Sequence, residues 1–279
     1  MNLAALNHLI QTALKEDAAF DDITTQSLIT PSHRSKAYII FKEDAVICGL
    51  EIVNQVFKKL DPKIRFHSSF KDGQKVKKNT KVTFIEGPTR AILAGERTAL
   101  NFLAHCSGVA TLTRQFVEAI KPSKAKILDT RKTTPGLREL EKYAVVCGGG
   151  TNHRHNLSDM ALIKDNHLAT APSLSLAVAI LRAKTSKKIE VEVTNLKQFQ
   201  EAIKTNPDII LLDNMTPAQI KHAVKMLKSF RPKKKILLEA SGGIDLQNVR
   251  RVAQTGVDRI SIGALTHSAK AINLSLEIF

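Results

Sequence analysis

The second half of the chain carries a rhythm that few folds can accommodate. Six short apolar, β-branched runs, at 126–129, 160–164, 189–193, 209–213, 235–239 and 259–263, begin about 20 to 35 residues apart. Helical patterns fill several of the gaps. Leu196, Phe199 and Ile203 share one helical stripe. Ile220, Val224 and Leu227 share another, behind Thr216-Pro217, which reads as an N-cap and a first-turn proline. Val249, Val252 and Ala253 face one way before Gly256, a helix stop. Apolar strands alternating with helices predict a parallel sheet covered by helices, and six or seven such units would close into a barrel.

The first half follows a different pattern, α+β. Leu3, Leu6, Ile10 and Leu14 predict an amphipathic opening helix. Residues 36–50 and 82–92 read as strands, with Asp72-Gly73 as a turn between them, and 95–120 reads as one or two helices. These patterns divide the chain into a first domain at 1–105 and a barrel at 106–267, with the tail 268–279 returning to the first domain.

Working residues in a βα barrel gather at the C-terminal ends of the strands. Every predicted strand here ends in polar residues or glycine. The six ends are Asp129 to Arg138, Lys164-Asp165-Asn166-His167, Glu192, Asp213-Asn214-Met215, Glu239-Ala240-Ser241-Gly242-Gly243 and Gly263-Ala264. Arg131, Lys132, Arg154 and Lys164 are cations suited to carboxylates and phosphates. Ser241-Gly242-Gly243 and Gly263 permit close backbone approach, and a helix starting soon after each would aim N–H groups at a phosphate. Glu192 and Asp213 suit a hard cation such as magnesium, with retained waters. Singly, each feature has an ordinary structural explanation: a loop, a surface lysine, a helix cap. His153 reads equally well as an orienting group or as a ligand contact. Together the strand ends imply a ligand rich in carboxylate and phosphate.

Composition narrows the class. The formal charge is +16, but with two tyrosines and no tryptophan the chain is poorly equipped to stack on bases, so nucleic acid is not expected. The run Lys233-Lys234-Lys235 reads as a solvated loop. No apolar run approaches a membrane span, and residues 1–8 lack a signal-peptide pattern. Cys48, Cys106 and Cys147 are widely spaced, which argues against structural zinc or a disulfide framework and for ordinary buried thiols in a reducing cytoplasm.

The stretches Asp129-Thr130-Arg131-Lys132-Thr133-Thr134-Pro135-Gly136-Leu137-Arg138, Gly150-Thr151-Asn152-His153-Arg154, Leu162-Ile163-Lys164-Asp165-Asn166-His167, Glu190-Val191-Glu192-Val193, Leu212-Asp213-Asn214-Met215, Glu239-Ala240-Ser241-Gly242-Gly243 and Gly95-Glu96-Arg97-Thr98-Ala99-Leu100-Asn101 resemble the quinolinate phosphoribosyltransferase family. One departure is His155-Asn156, where the family pattern has an aromatic or apolar residue and then glycine. The resemblance implies an N-terminal α/β sandwich domain, an incomplete seven-stranded α/β barrel, and a homodimer as the working unit, leaving open whether dimers assemble into a hexamer. It further implies that Arg97 reaches the neighbouring subunit's site and that Arg131, His153, Arg154 and Lys164 hold quinolinate. Lys132, Glu192, Asp213, Ser241, Gly242, Gly243, Gly263 and His267 would surround phosphoribosyl pyrophosphate. Lys132, Glu192 and Asp213 would be catalytic, the two acids also serving Mg2+, directly or through water. The activity implied is decarboxylating phosphoribosyl transfer to quinolinate. The rivals are a Schiff-base aldolase using Lys164, a nicotinate-specific transferase and a basic nucleic-acid binder.

Overall fold

A computed structural model describes residues 3–170, 173–232 and 234–279. Lys233 and residues 1–2 lie outside that set, as does the side chain of Leu3. The chain divides into two compact units. One comprises Met1–Arg114, Thr133–Gly149 and Leu265–Phe279; the other comprises Gln115–Lys132 and Gly150–Ala264.

The first unit opens with α1 (Leu3–Glu16), whose Leu6, Ile10 and Leu14 are buried at the predicted spacing, and α2 (Ile23–Leu28), capped by Asp22 accepting from the Thr25 N–H. Next come β1 (Arg34–Phe41), β2 (Ala45–Val46), α3 (Leu50–Leu60), β3 (Arg65–His67), β4 (Lys75–Val76), β5 (Thr80–Pro88) and α4 (Thr89–Ala119), whose last residues pass into the second unit. The expected strand at 36–50 is instead two strands, β1 and β2, and Gly49, at φ +114°, turns the chain into α3. The strand expected to reach residue 92 likewise ends at Pro88, and the segment expected as one or two helices over 95–120 lies, up to Ala119, in the single helix α4.

The last strand of the chain, β12 (Leu274–Ile278), returns to pair antiparallel with β1, giving a four-stranded sheet in the order β12-β1-β5-β3. Ile39, Ile85, Ile52 and Phe57 are fully buried, and α1 packs on α3 in this α/β sandwich. Also in this unit is α5 (Arg138–Cys147). Its buried Glu141 accepts from His105 Nε2 at 3.0 Å and from the Thr134 N–H at 3.1 Å, which anchors the loop ahead of α5.

The second unit contains β6 (Lys126–Leu128), β7 (Ala161–Ile163), α6 (Asp165–Leu168), α7 (Leu174–Lys184), β8 (Ile189–Val193), α8 (Leu196–Lys204), β9 (Ile209–Asp213), α9 (Pro217–Phe230), β10 (Leu237–Ser241), α10 (Val249–Ala253) and β11 (Arg259–Ser261). The short α11 (Ala264–His267) straddles the boundary between the units. The six strands pair in parallel in the order β6-β11-β10-β9-β8-β7. Among the described residues a single parallel bridge, Leu128↔Thr151, stands where a seventh strand would lie beside β6, so the expected seven-stranded arrangement is there six strands and one bridge. Ile209 to Leu212 of β9 are all buried, as a strand covered on both faces requires. Thr216 and Gln219 form a reciprocal capping box at α9, and Phe199, Ile203, Ile220, Val224, Val249 and Val252 are buried on the predicted stripes. Lys234 and Lys235 reach Asp208 and Asp258 at 3.0 and 3.7 Å. Among the described residues, no helix is long and apolar enough to cross a membrane.

Candidate active site

Parallel pairing fixes where the strand ends lie. Ser241 pairs with Asp213, Leu212 with Val193, Val191 with Ile163 and Ser261 with Leu128. Lys164, Glu192, Asp213, Ser241 and the segment after β6 therefore share one end of the sheet.

Arg131 and Arg154 form its cationic part. Asp129, fully buried, accepts from the His153 N–H at 2.8 Å and so ties the 151–154 segment to the end of β6. Arg154 donates from Nη1 to the Met160 carbonyl at 2.9 Å. Burial, and next the adjacent Arg131 charge, pull the Arg154 guanidinium below its ordinary pKa. Arg131 Nε is buried and has no hydrogen-bond partner. Two neighbouring cations, one with an orphaned donor, suit an anion with more than one carboxylate. Lys132 is exposed, and its backbone N–H donates to Thr130 Oγ1.

Lys164 Nζ donates to Glu192 Oε2, an ion pair between adjacent strand ends. An aldolase lysine needs a free amine in an apolar pocket; this one is 43% exposed and already paired. Asp213 accepts from Asn214 Nδ2 at 2.9 Å. Among the described residues, Glu192 and Asp213 join no cluster of three ligating side chains. Two carboxylates fit magnesium only if the ion keeps waters and takes its remaining oxygens from substrate.

The turn after β10 is shaped for close approach. Gly242 (φ +89°) leaves no room for a side chain, since a Cβ would lie 2.1 Å from Asn214 Oδ1, whereas Gly243 (φ +59°) has open space beside it. The expected helix does not follow at once here. Asp245 Oδ1 instead accepts from the Gln247 and Asn248 N–H groups, and α10 starts at Val249. Any backbone cradle at this end belongs to the glycine turn. After Gly263, by contrast, α11 begins immediately.

His153, expected as an orienting group or a ligand contact, lies among carboxylates. Only 8% exposed, it directs Nε2 at Glu190 and Glu239, 3.1 and 3.3 Å away, and Nδ1 accepts from the Arg154 N–H at 2.8 Å. Glu239 also pairs with Arg259 Nε at 2.8 Å. Burial opposes a charge on His153, but the two carboxylates outweigh it and raise the group to about 9. Burial, then Glu239, raises Glu190. Nδ1 is occupied as an acceptor, so the extra proton belongs to the coupled cluster of His153, Glu190 and Glu239 rather than to one group. Glu190 and Glu239 have no role in the sequence reading. Glu190 shares a strand face with Glu192, and an acid between apolar residues two positions before a strand end was the available signal.

Two of the expected site residues belong to the other unit. Arg97, exposed on α4, and His267, whose Nδ1 is 2.7 Å from Ser268 Oγ, belong to the first unit. The unusual His155-Asn156 pair forms a turn in which Asp159 accepts from the His155 N–H and Asn156 accepts from Ser158. A cavity of about 1010 Å³ lies at the opposite, N-terminal end of the strands, lined by Lys126, Lys188, Leu237 and Arg259 among others, and it meets the site only at His153 and Arg154.

Comparison with known proteins agrees with this geometry. The family description for the quinolinate phosphoribosyl transferase N-terminal domain matches residues 22–107, and that for its C-terminal domain matches 109–277. A probable nicotinate-nucleotide pyrophosphorylase [carboxylating] of Methanocaldococcus jannaschii is 42% identical, over 97% of this chain and 96% of its own length. Quinolinate phosphoribosyltransferase [decarboxylating] 1b of Nicotiana tabacum is 37% identical, over 98% of this chain and 82% of its own. The solved nicotinate-nucleotide pyrophosphorylase of Francisella tularensis superposes with a TM-score of 0.92 at 40% identity, covering 100% of this chain and 98% of that one. With both domains matched in order and full-length relatives near 40% identity, the chain belongs to the quinolinate phosphoribosyl transferase family.

Proposed function

We propose that the chain transfers phosphoribosyl from phosphoribosyl pyrophosphate to quinolinate with loss of a carboxylate, giving nicotinate mononucleotide, pyrophosphate and carbon dioxide in NAD biosynthesis. The observation that carries this reading is the Arg131–Arg154 pair, half-buried, mutually repelling and with an orphaned Nε. A single carboxylate satisfies such a pair poorly, while adjacent carboxylates on one ring satisfy both. Calorimetry should therefore show quinolinate binding at least ~10-fold more tightly than nicotinate, one charge-assisted hydrogen bond contributing roughly 1.5–3 kcal/mol. Equal affinities would favour the nicotinate-specific reading instead.

The chemistry follows from charge. Arg131, Arg154 and Lys164 orient the diacid so that its ring nitrogen faces the anomeric carbon. The nitrogen lone pair forms the new bond as the bond to pyrophosphate breaks, and Lys132 neutralises the departing charge. The ring, now cationic, accepts the electron pair of the breaking carbon–carboxylate bond, and carbon dioxide leaves. The ring carbon then takes a proton. The glycine turn at Ser241 to Gly243, together with Gly263 and His267, would cradle phosphate. Glu192 and Asp213 would hold Mg2+, which supplies further charge neutralisation at the pyrophosphate. Excess chelator should abolish turnover and added magnesium restore it, with Asp213→Asn requiring more of the metal. Full activity in chelator would remove the metal from this account.

We further infer a homodimer in which Arg97 completes the partner's site. Its exposure on α4, beside buried Thr98 and Leu100, supports a side chain reaching outward. Mixing inactive Arg97→Ala protein with inactive Lys164→Ala protein should then restore activity. Random exchange makes half the dimers hybrid and leaves about a quarter of all sites intact. If labelled subunits exchange and no activity returns, Arg97 acts within its own chain or not at all. The three thiols are free, which supports placing the enzyme in the reducing cytoplasm.

A further inference from the structure

Three cysteines that are remote in sequence meet inside the first unit. Cys48 precedes α3, Cys106 lies on α4 and Cys147 ends α5, and all three are free. The sulfurs of Cys48 and Cys147 and a carboxylate oxygen of Asp72 lie within 4.8 Å of one another. Cys48 and Cys106 are fully buried, whereas Cys147 is partly open to solvent.

The backbone on both sides is pinned. The Cys48 N–H donates to Ser107 Oγ at 3.0 Å. Arg114 donates to the Cys147 and Gly148 carbonyls at 3.3 and 2.7 Å. Asp72 is already occupied: it accepts from the Gly49 and Leu50 N–H groups at 3.0 and 3.1 Å and from Tyr143 Oη at 2.8 Å. A carboxylate with three donors is a poor metal ligand, so this cluster suits sulfur chemistry better than zinc.

We propose that Cys48 and Cys147 form an oxidisable dithiol, closed to one disulfide by a peroxide. Cys147 is the entry point, being the partly exposed thiol of the three. Hydrogen bonding from the Cys48 thiol lowers its pKa against the opposing effect of burial, which favours the attacking thiolate. Cys147 thiolate cleaves the O–O bond, forming a sulfenic acid and releasing hydroxide. Cys48 sulfur then displaces the sulfenic hydroxyl, and its thiol proton leaves with that oxygen as water. The balance is two thiols and one hydrogen peroxide giving one disulfide and two waters. The sulfurs must close to about 2.05 Å. The crosslink would join the start of α3 to the end of α5, just before the glycine run that leads to His153 and Arg154.

The test treats the reduced full-length protein with hydrogen peroxide, alkylates the remaining thiols and maps the peptides. The expected product has lost two of its three alkylatable thiols, is lighter by two hydrogens, carries a Cys48–Cys147 linkage and regains both thiols with dithiothreitol. Cys106→Ser should still form the bond, and Cys147→Ser should form none. A Cys48–Cys106 linkage, irreversible oxidation of Cys147 alone, or three surviving thiols would overturn the proposal, and none of these outcomes depends on a variant folding.

Discussion

Arg131→Ala is expected to weaken quinolinate binding by roughly 10- to 150-fold while changing affinity for phosphoribosyl pyrophosphate by only a few fold, the loss corresponding to one charge-assisted hydrogen bond of about 1.5–3 kcal/mol. Two features set the direction. Arg131 Nε is buried without a protein partner, so its bond is made only when an anion arrives. Removing Arg131 also relieves the repulsion that adds to burial in holding Arg154 below its ordinary pKa, and this partly offsets the loss. The penalty should therefore be smaller than for Arg154→Ala, which also breaks the contact to the Met160 carbonyl. Arg131→Lys should recover little, because an ammonium cannot reproduce the planar fork. Calorimetry with each ligand separates the outcomes. Equal losses for both ligands would place Arg131 at the phosphates instead.

The second large effect concerns the barrel interior. Glu239→Gln should destabilise the protein by up to about 3–5 kcal/mol, because it removes the buried carboxylate that pairs with the half-buried Arg259 cation. The melting temperature should fall by roughly 10 °C. Glu190→Gln should cost less, since burial and the Glu239 charge already disfavour an ionised Glu190. The extra proton held by the cluster gives a pH dependence with a definite sign. His153 is raised to about 9, above its ordinary 6.5, so the stabilisation is fully present below pH 6.5 and is lost as pH rises through about 9. The loss is at most roughly 3 kcal/mol. Thermal melts of wild type between pH 6 and 9 should slope downward, and those of Glu190→Gln should be flatter. Equal costs for the two substitutions, or a flat wild-type profile, would mean that the proton is not there.

The six parallel strands were legible because a strand buried on both faces must be apolar throughout, and runs such as Ile209 to Leu212 have no other use. The strand-end cations and acids were legible for the complementary reason: they interrupt apolar runs at matching positions. Boundaries in the first unit were not, because the residues near Leu50 and Thr89 are equally apolar in strand and helix, and only the left-handed backbone at Gly49 marks one change. The seventh strand shrank to a bridge at Thr151, where the preceding glycines cannot hold an extended ladder. His153 could not be assigned from sequence, since its role depends on Glu190 and Glu239, which arrive from two other strands. The thiol cluster was hidden for the same reason, its members being about 40 to 60 residues apart.

The most direct measurement supplies the purified protein with quinolinate carrying labelled carboxylates, phosphoribosyl pyrophosphate and magnesium, and counts carbon dioxide against pyrophosphate. The expected result is one carbon dioxide per pyrophosphate, with nicotinate mononucleotide as the only nucleotide formed. Pyrophosphate released without carbon dioxide, or turnover of nicotinate in place of quinolinate, would contradict the account.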